Sequence, residues 1–319
     1  MHILVIVLLI LAVLLVLAGA LSLYLARFAL GIKAQSLSDA RRWQEEHYDL
    51  SWYDGLEKKD YVVPSDDGYQ LHVQYLANPS PSDRFIILSH GYTDNRFGAL
   101  KYGKIYLDLG FNLIIYDLRG HGENEPTFCS YSIRESVDLD ALVEETRLRY
   151  PHLTCLGLHG ESLGAATSVA CLKYFPPVDF VVADCAFARI APILEAGLRS
   201  MKLPTCLLRS ASLAAKIRYG YAFSEMAPID SLAENQVPLL FIHGADDTFI
   251  SPENSEEMAQ VDPGYHELFL VPGAAHAQSV LTDPEGYAKA VSSFLASISQ
   301  LRTQAPEEAA AQASGDLVP

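Results

Sequence analysis

Cysteine and positive charge are both scarce in this sequence. The chain of 319 residues has five cysteines, and no two of them form a Cys-x-x-Cys pair. An odd number of scattered cysteines provides no disulfide framework and no cysteine-based metal site, and it agrees with a reducing compartment. Lysine and arginine total 23 against 39 acidic residues, which gives a net charge of −16. A general nucleic-acid binder is therefore excluded, because phosphate backbones repel such a chain.

Charge is absent altogether from residues 3–25, which form one continuous apolar run. A run of this length is sufficient to cross the hydrocarbon core of a bilayer as a helix. A cleaved signal peptide is the alternative, since residues 18–20 read Ala-Gly-Ala and resemble a cleavage site. However, no lysine or arginine precedes the run and the run continues past that site, which favours a retained anchor. We therefore predict a single-pass transmembrane anchor over residues 1–30.

Residues 31–59 are predicted to form a juxtamembrane connector. Four basic residues follow the apolar run within residues 27–42, and only His2 precedes it. By the positive-inside rule, this distribution favours a cytoplasmic catalytic domain. The connector also contains both tryptophans of the protein, Trp43 and Trp52. These rings either lie at the membrane interface or pack on the globular domain, and the sequence leaves both interpretations open.

From residue 60 onward, short apolar segments alternate with helical patterns. Continuous apolar strands separated by helices imply a mostly parallel central sheet with helices on both faces. We place this α/β domain at residues 60–300 and predict a disordered tail over residues 301–319, which are small and polar. The predicted strands are 61–63, 69–76, 85–88, 111–116, 153–158, 180–183, 239–242 and 267–271. The first two of these strands are expected to form a hairpin across Asp67-Gly68. The predicted helices include 98–109, 133–149 and 163–174.

Residues 157–166 read GLHGESLGAA and contain a Gly-x-Ser-x-Gly step between a predicted strand and a predicted helix. Ligands of an open parallel sheet bind beyond the carboxyl ends of its strands, and Ser162 lies at such an end. Gly160 and Gly164 leave room for a tight turn and for close packing of the helix. This arrangement is typical of a nucleophile elbow. We therefore predict that Ser162 is a nucleophile; an ordinary turn made of glycines and a serine is the alternative.

A serine nucleophile needs a base, and the base needs an orienting acid. One later apolar strand leads into a loop with Asp246 and Asp247, and the next leads into a loop with His276. Both loops lie at the same edge of the sheet as Ser162, and acid before histidine is the order that follows a nucleophile elbow. We predict a triad of Ser162, Asp247 and His276, with Asp246 and Asp184 as alternative acids.

The oxyanion that forms during acyl transfer needs two aimed N–H donors. One is expected to be the amide of Leu163, directly after the nucleophile, and the other the amide of Tyr92, in the loop after the strand at 85–88. No metal and no organic cofactor is expected. The remaining histidines at the ends of strands or in glycine-rich loops are expected to be structural: His90, His121, His159 and His243.

Five motifs occur in order along the chain: SHGYTDNR, YDLRGHGEN, GLHGESLGAA, FIHGADDTFI and VPGAAHAQS. Together they resemble the α/β-hydrolase superfamily over residues 60–298. Within it, the chain resembles the membrane-anchored Bem46/YqkD-like branch, which is related to the prolyl-oligopeptidase and serine-aminopeptidase-like hydrolases. The resemblance implies an α/β-hydrolase fold and a serine hydrolase with the triad predicted above. It implies no particular substrate.

A short helical cap is predicted over the site, at about residues 187–225. Its segments read as amphipathic helices broken by Pro192 and Pro204, with an apolar face suited to an acyl pocket. Residues 189–218 also contain six basic residues. These cations either approach anionic lipid headgroups or form solvated helix faces.

The function predicted from the sequence is a membrane-anchored serine hydrolase that cleaves carboxylic esters through an acyl-enzyme. The expected substrate is a small acyl ester or a lipid-like ester. A serine peptidase or an acyltransferase with the same triad is the alternative within enzymes. The alternative that is not an enzyme is a binding module with a hydrolase fold, although every position of the triad is filled. The sequence does not indicate an oligomeric state.

Overall fold

A mostly parallel sheet runs through the α/β domain, as predicted. The computed structural model describes residues 2–315 of the chain and the side chains of residues 2–301. Within this part, eight strands form one sheet: β1 (Lys58–Pro64), β2 (Gln70–Leu76), β3 (Arg84–Ser89), β4 (Asn112–Tyr116), β5 (Cys155–Glu161), β6 (Phe180–Asp184), β7 (Leu239–Gly244) and β8 (His266–Val271). Their order is β1-β2-β4-β3-β5-β6-β7-β8. β2 is antiparallel to both of its neighbours, and the other pairs are parallel.

Helices cover both faces of this sheet. The helices are α1 (His2–Leu30), α2 (Leu37–His47), α3 (Ser51–Asp54), α4 (Gly103–Asp108), α5 (Ile133–Arg149), α6 (Leu163–Cys171), α7 (Ile190–Ser200), α8 (Leu207–Tyr219), α9 (Glu253–Val261), α10 (Ser279–Thr282) and α11 (Pro284–Gly315). α5 and α6 contribute to one core, and α4 and α11 contribute to the other. Neighbouring residues of β3 divide between them, because Ile87 packs in the first core and Ile86 in the second. This is the alternation that a strand buried on both faces requires.

The structure differs from the predicted helix at 98–109. A 3₁₀ helix over Arg96–Tyr102 precedes the short α4, and Asn95 caps the 3₁₀ segment by accepting a hydrogen bond from the Phe97 amide at 3.1 Å. Gly98 and Gly103 lower the helix propensity of this segment, which accounts for the break. The helix predicted at 133–149 has the predicted bounds.

β1 and β2 form the predicted hairpin. Gly68 at its tip has φ of 80°, a left-handed conformation that glycine adopts without steric cost. The carboxylate of Asp67 accepts a hydrogen bond from the Tyr69 amide at 3.0 Å, which closes the turn locally. The same carboxylate pairs with Arg119 at 3.0 Å, and Arg119 also donates to Asp138 at 2.8 Å. The arginine of the DLRGHG motif therefore ties the hairpin to α5.

The N-terminal segment is packed on the catalytic domain from the end of α1 onward. Leu25 and Leu30 of α1 are buried in the same core as α5 and α6. In the connector, Tyr53 is buried and its hydroxyl donates to Gln74 of β2 at 2.6 Å. Trp52 packs with this second core, whereas Trp43 lies on the surface with 40% of its side chain exposed. Packing on the domain is therefore the correct interpretation for Trp52.

The predicted cap consists of α7 and α8. Pro204 lies between the two helices, as predicted, but Pro192 does not break α7. It occupies the first turn, where the N–H that proline lacks would have no intrahelical acceptor. Three of the six basic residues pair with carboxylates: Arg189 with Glu257 at 2.7 Å, Arg199 with Glu195 at 2.6 Å and Lys216 with Glu225 at 2.8 Å.

The last helix, α11, continues through Gly315 and so enters the segment for which the sequence predicts disorder. Its alanine, glutamine and glutamate residues favour helix, and this preference outweighs the polar composition on which the expectation was based. Residues 316–319 lie outside the described residues, so the disorder of the end of the chain stays a prediction.

Candidate active site

Ser162 lies on the sharp turn between β5 and α6. Its backbone has φ of 52° and ψ of −110°, a conformation that a serine adopts only when the surrounding structure holds it there. A Cβ at Gly160 would collide with the backbone of Gly164, and a Cβ at Gly164 would collide with the carbonyl of Ser89. The two glycines therefore allow α6 to approach β5 and β3 closely. The result is a strained turn that presents the serine hydroxyl at the edge of the sheet.

His276 and Asp247 lie beside this serine. The Ser162 hydroxyl is 3.0 Å from Nε2 of His276, and Nδ1 of the same ring is 2.6 Å from Oδ2 of Asp247. A carboxylate only accepts hydrogen bonds, so Nδ1 carries the proton and Nε2 is free to accept one from the serine. The structure thus brings the three residues predicted from the order of the motifs into one hydrogen-bonded chain.

Asp247 is held as a carboxylate. Burial acts to raise the pKa of Asp247, but hydrogen bonds from His243 and His276 and from the backbone amide of Ile250 together hold that pKa well below its ordinary value. The backbone amides of Phe249 and Ile250 both donate to its Oδ1 at 2.9 Å. The side chain is therefore fixed in orientation and charged, which is what an acid that orients a histidine needs.

The two alternative acids lie elsewhere. Asp246 is exposed on the loop, and its described contact is a backbone bond from its amide to Ala274 at 3.0 Å. Asp184 is fully buried behind the serine, where its carboxylate accepts hydrogen bonds from Tyr102 at 3.0 Å and from Tyr287 at 3.2 Å. Its backbone carbonyl accepts from the amide of Ser162 at 2.8 Å. Asp184 therefore supports the turn and does not contact His276 among the described bonds.

Leu163 and Tyr92, the predicted oxyanion donors, both border the same cavity as Ser162. Leu163 is the first residue of α6, so its amide has no acceptor within the helix. Tyr92 lies in the loop after β3, and its hydroxyl donates to the carbonyl of Gly31 at 2.7 Å. Its ring stacks on Tyr131 with centroids 6.0 Å apart. These contacts fix the loop that carries the Tyr92 amide.

The other histidines make structural hydrogen bonds. His90 accepts from the Leu118 amide at 2.9 Å, and His243 contacts the carbonyl of Ile250 at 2.8 Å. His159 lies between the hydroxyls of Tyr106 and Tyr287, at 2.8 and 3.1 Å. Burial lowers the pKa of His159 to about 3, so this ring stays neutral. None of these four bonds involves Ser162.

An apolar cavity of about 340 Å³ opens on the serine side of the triad. Its size falls within the usual range for small-molecule sites. The cap contributes Ile193, Leu194 and Leu198, and the sheet side contributes Phe187. The end of α1 contributes a further part of the wall, which no sequence pattern predicts. The cavity therefore provides an apolar surface next to Ser162.

A second cavity, of about 310 Å³, lies on the histidine side and is more polar than the first. It is bordered by His276 and by a buried ion pair between Lys101 and Glu161, the residue before the nucleophile. Burial disfavours the charge of Lys101, but the carboxylate of Glu161 holds the pKa of that ammonium above its ordinary value. Burial raises the pKa of Asp94, on the same cavity, to about 6, and the charge of Glu161 adds to this shift.

Sequence reasoning did not find this polar cluster. Lys101 and Glu161 are 60 positions apart, and each reads as an ordinary charged residue in its own segment. One signal was available: Glu161 follows an apolar strand that is buried on both faces, and a buried carboxylate requires a partner. The sequence did not indicate which cation supplies it.

A strained serine between a strand and a helix, with an acid and a histidine after later strands of the sheet, defines an α/β-hydrolase. The model of the family described as serine aminopeptidase, S33, matches residues 80–236. The uncharacterized protein YqkD of Bacillus subtilis is 33% identical over 282 residues, which cover 86% of this chain and 92% of YqkD. The chain therefore belongs to the α/β-hydrolase superfamily and, within it, to the family of YqkD.

Two further similarities agree with this assignment. The uncharacterized membrane protein YNL320W of Saccharomyces cerevisiae is 20% identical over 252 residues, which cover 78% of this chain and 83% of that protein. The structure of the esterase Pf2001 from Pyrococcus furiosus matches with a TM-score of 0.62 at 24% identity, over 75% of this chain and 90% of that structure. The second match shows the same fold.

Proposed function

We propose that the protein is a membrane-anchored serine hydrolase that cleaves carboxylic esters. The observation that carries this proposal is the chain of hydrogen bonds from Ser162 through His276 to Asp247, at 3.0 and 2.6 Å. A general base within hydrogen-bond reach of the nucleophile, itself oriented by a buried carboxylate, is what activates a serine hydroxyl. The likeness to the Pf2001 esterase adds support of a weaker kind, since it rests on fold.

In the proposed reaction, Oγ of Ser162 attacks the acyl carbon while Nε2 of His276 takes the hydroxyl proton. The tetrahedral oxyanion is held by the amides of Leu163 and Tyr92. The bond to the leaving oxygen breaks, and that oxygen receives the proton from His276, which leaves an acyl-serine. Water then attacks the acyl carbon, gives a proton to His276, and releases the acid as the proton returns to Ser162.

The composition of the apolar cavity favours an ester over an aminopeptidase substrate, although the matched family model is described as a serine aminopeptidase. An aminopeptidase binds a protonated amine next to the acyl carbon, and a carboxylate is needed to pair with that charge. The described residues around the cavity include one charged side chain, Lys33, and no carboxylate. An apolar acyl group fits this surface, whereas an ammonium group does not.

The membrane anchor is α1. This helix has 29 residues, which correspond to about 43 Å at the rise of an α-helix and exceed the roughly 30 Å of a bilayer core. Its apolar side chains from Ile3 to Leu17 are exposed, and the helix continues without a break into the catalytic domain. The basic residues that follow it favour a cytoplasmic orientation of the domain by the positive-inside rule. Protease digestion of intact cells contradicts this orientation if it removes the domain.

The test is labelling of the detergent-solubilised full chain with a fluorophosphonate, read by intact mass, together with turnover of p-nitrophenyl esters. We expect one adduct on the wild type and none on Ser162→Ala. Ester turnover in the variant should fall by on the order of 10⁵-fold, because the nucleophile is lost while the other groups remain.

Ser168→Ala is the matched control, since Ser168 lies on the same helix and its hydroxyl donates to the carbonyl of Gly164 at 2.9 Å. This variant should keep the adduct. An adduct that persists in Ser162→Ala would refute the assignment of the nucleophile. Cleavage of aminoacyl-nitroanilides without cleavage of esters would show that the protein is a peptidase.

A further inference from the structure

The end of the N-terminal helix forms part of the cavity at the nucleophile. Leu25, Phe28 and Ala29 of α1 border the apolar cavity together with Ser162 and the cap residues. α8 of the cap packs along α1, so the helix closes a side of the cavity that the sheet and the cap leave open. A helix that only anchors a protein needs no contact with the active site, whereas α1 contacts it.

Hydrogen bonds fasten this end of the helix to the loops of the site. The hydroxyl of Tyr131 donates to the carbonyl of Ala29 at 2.7 Å, and the amide of Cys129 donates to the carbonyl of Leu30 at 2.8 Å. The hydroxyl of Tyr92 donates to the carbonyl of Gly31 at 2.7 Å. Tyr92 also carries a proposed oxyanion amide. Hydrogen bonds therefore connect the end of α1 directly to the loop that carries the Tyr92 amide.

The residues around this end of α1 match the composition of a membrane interface. Arg27 and Arg218 border a shallow cleft with Tyr219, and Tyr24 and Phe28 lie on the neighbouring surface of the helix. Tyrosines and arginines of this kind settle at the level of lipid headgroups. Leu25 and Phe28 occupy the same two turns as Tyr24 and Arg27. With α1 as the proposed anchor, the cavity would lie at the depth where this helix leaves the bilayer.

We propose that the last two turns of α1 are a wall of the acyl-binding pocket, and that the pocket takes the acyl chain of an ester resident in the membrane. This inference rests on the proposed function. A short acyl group would leave most of the apolar wall uncovered, whereas a longer chain covers it and gains the free energy of removing apolar surface from water. The anchor thus both holds the enzyme at the bilayer and selects its substrate.

The experiment compares two esters of one fluorescent alcohol, an acetate and a dodecanoate, with the full chain reconstituted in phosphatidylcholine vesicles. The wild type should have the higher kcat/KM for the dodecanoate. Ala29→Phe places a bulky ring in the pocket from the side of α1 and should lower the ratio of dodecanoate to acetate kcat/KM by roughly tenfold or more. Phe28→Ala removes wall surface without adding bulk and should lower the same ratio less.

Ala20→Phe is the matched control, because Ala20 is exposed on the same helix, away from the cavity. It should leave both rates at the wild-type level. A methyl fluorophosphonate, which needs no acyl pocket, reports whether Ser162 is intact in each variant. If the fluorophosphonate does not label the Ala29→Phe variant, the ratio of dodecanoate to acetate kcat/KM in Phe28→Ala decides the question. A preference for the acetate in the wild type, or an unchanged ratio in the labelled wall variants, overturns the inference. Absence of labelling and of turnover in the wild type contradicts the proposed function instead.

Discussion

The two cavities beside the candidate triad differ in chemistry. The cavity that contains Ser162 is lined mostly by aliphatic and aromatic side chains, whereas the cavity that contains His276 also includes the charged groups Lys101, Glu161 and Asp94. This division agrees with the proposed reaction. In that proposed reaction, the serine side would face the acyl group. The histidine side would face the leaving oxygen and the water, with which His276 would exchange a proton.

The N-terminal segment contributes to both cavities. α1 borders the apolar cavity, and Gln35, Trp43 and Tyr48 of the following segment border the polar one. The amide of Gln35 donates to the carbonyl of Thr93 at 2.7 Å, in the loop next to Tyr92. Helix α1 and the connector are therefore structural parts of the candidate site, although the sequence presents them as segments that precede the α/β domain.

The largest expected effect is on catalysis and concerns Asp247, the carboxylate that contacts His276. Asp247→Asn should lower kcat for ester hydrolysis by about 10⁴-fold, because an amide no longer fixes the protonated Nδ1 of His276. Stability should also fall, because the bonds that the Asp247 carboxylate accepts hold its pKa low and an amide replaces them only in part. The measurement is the kcat of the purified full chain with a p-nitrophenyl ester.

Asp246→Asn is the control for this prediction. The neighbouring aspartate is exposed, so the same chemical change there should leave kcat near that of the wild type. A large loss in Asp246→Asn together with a small loss in Asp247→Asn would reverse the assignment of the acid. It would also mean that the loop after β7 rearranges when substrate binds.

A smaller effect, on stability, is expected in the polar cavity. Lys101→Met should lower the free energy of unfolding by about 3–5 kcal/mol, because Glu161 is left as a buried charge without its cation. The melting temperature in detergent should fall by roughly 10 °C for a domain of this size. The double variant Lys101→Met, Glu161→Gln should recover most of this loss.

Lys104→Met is the matched control, three positions along the chain. Lys104 pairs with Asp108 on the surface, where both side chains are more than half exposed. Exposed pairs of this kind contribute less than about 1 kcal/mol, so the melting temperature should barely change. If Lys101→Met and Lys104→Met had equal melting temperatures, the polar cavity would be open to water and the contrast between the two cavities would be weaker.

Much of the fold follows from local patterns. Each predicted apolar run corresponds to a strand of the sheet, and the order of Ser162, Asp247 and His276 along the chain places them at one edge of that sheet. These predictions succeed because strand burial and the rule that parallel strands end at a common edge require no knowledge of packing. The glycines at 160 and 164 add a steric signal that sequence also shows.

The rest depends on contacts between distant segments. The burial of Leu25 beside the nucleophile is not visible in an apolar run that reads equally well as lipid-facing throughout. The pairing of Lys101 with Glu161 depends on how the 3₁₀ segment before α4 lies against β5. Neither propensity nor periodicity encodes such tertiary contacts. This explains why the sequence indicates the three residues of the hydrogen-bonded chain and the apolar face of the cap, but neither the wall from α1 nor the polar cluster.

The smallest expected effect concerns Asp94 and distinguishes the cavities by their response to pH. The pKa of Asp94 is raised from 3.8 to about 6 by burial and by Glu161. Since the folded state then binds the proton more tightly than the unfolded state, the stability from this group is present below its unfolded pKa and is lost as pH rises through about 6. The charged groups that act on it are Lys101, Glu161 and Asp117.

The side chain introduced by Asp94→Asn stays neutral at every pH. As pH rises from 4 to 7, the free energy of unfolding of the variant should therefore increase relative to that of the wild type, by on the order of 1–2 kcal/mol. Thermal unfolding of both proteins in detergent across this range measures the difference. In a Glu161→Gln background the pH-dependent part should shrink, because the like charge beside Asp94 is gone. A difference that does not vary with pH would show that Asp94 is as well solvated as a surface carboxylate. The cavity on the histidine side of the site would then be open to solvent and not enclosed by protein.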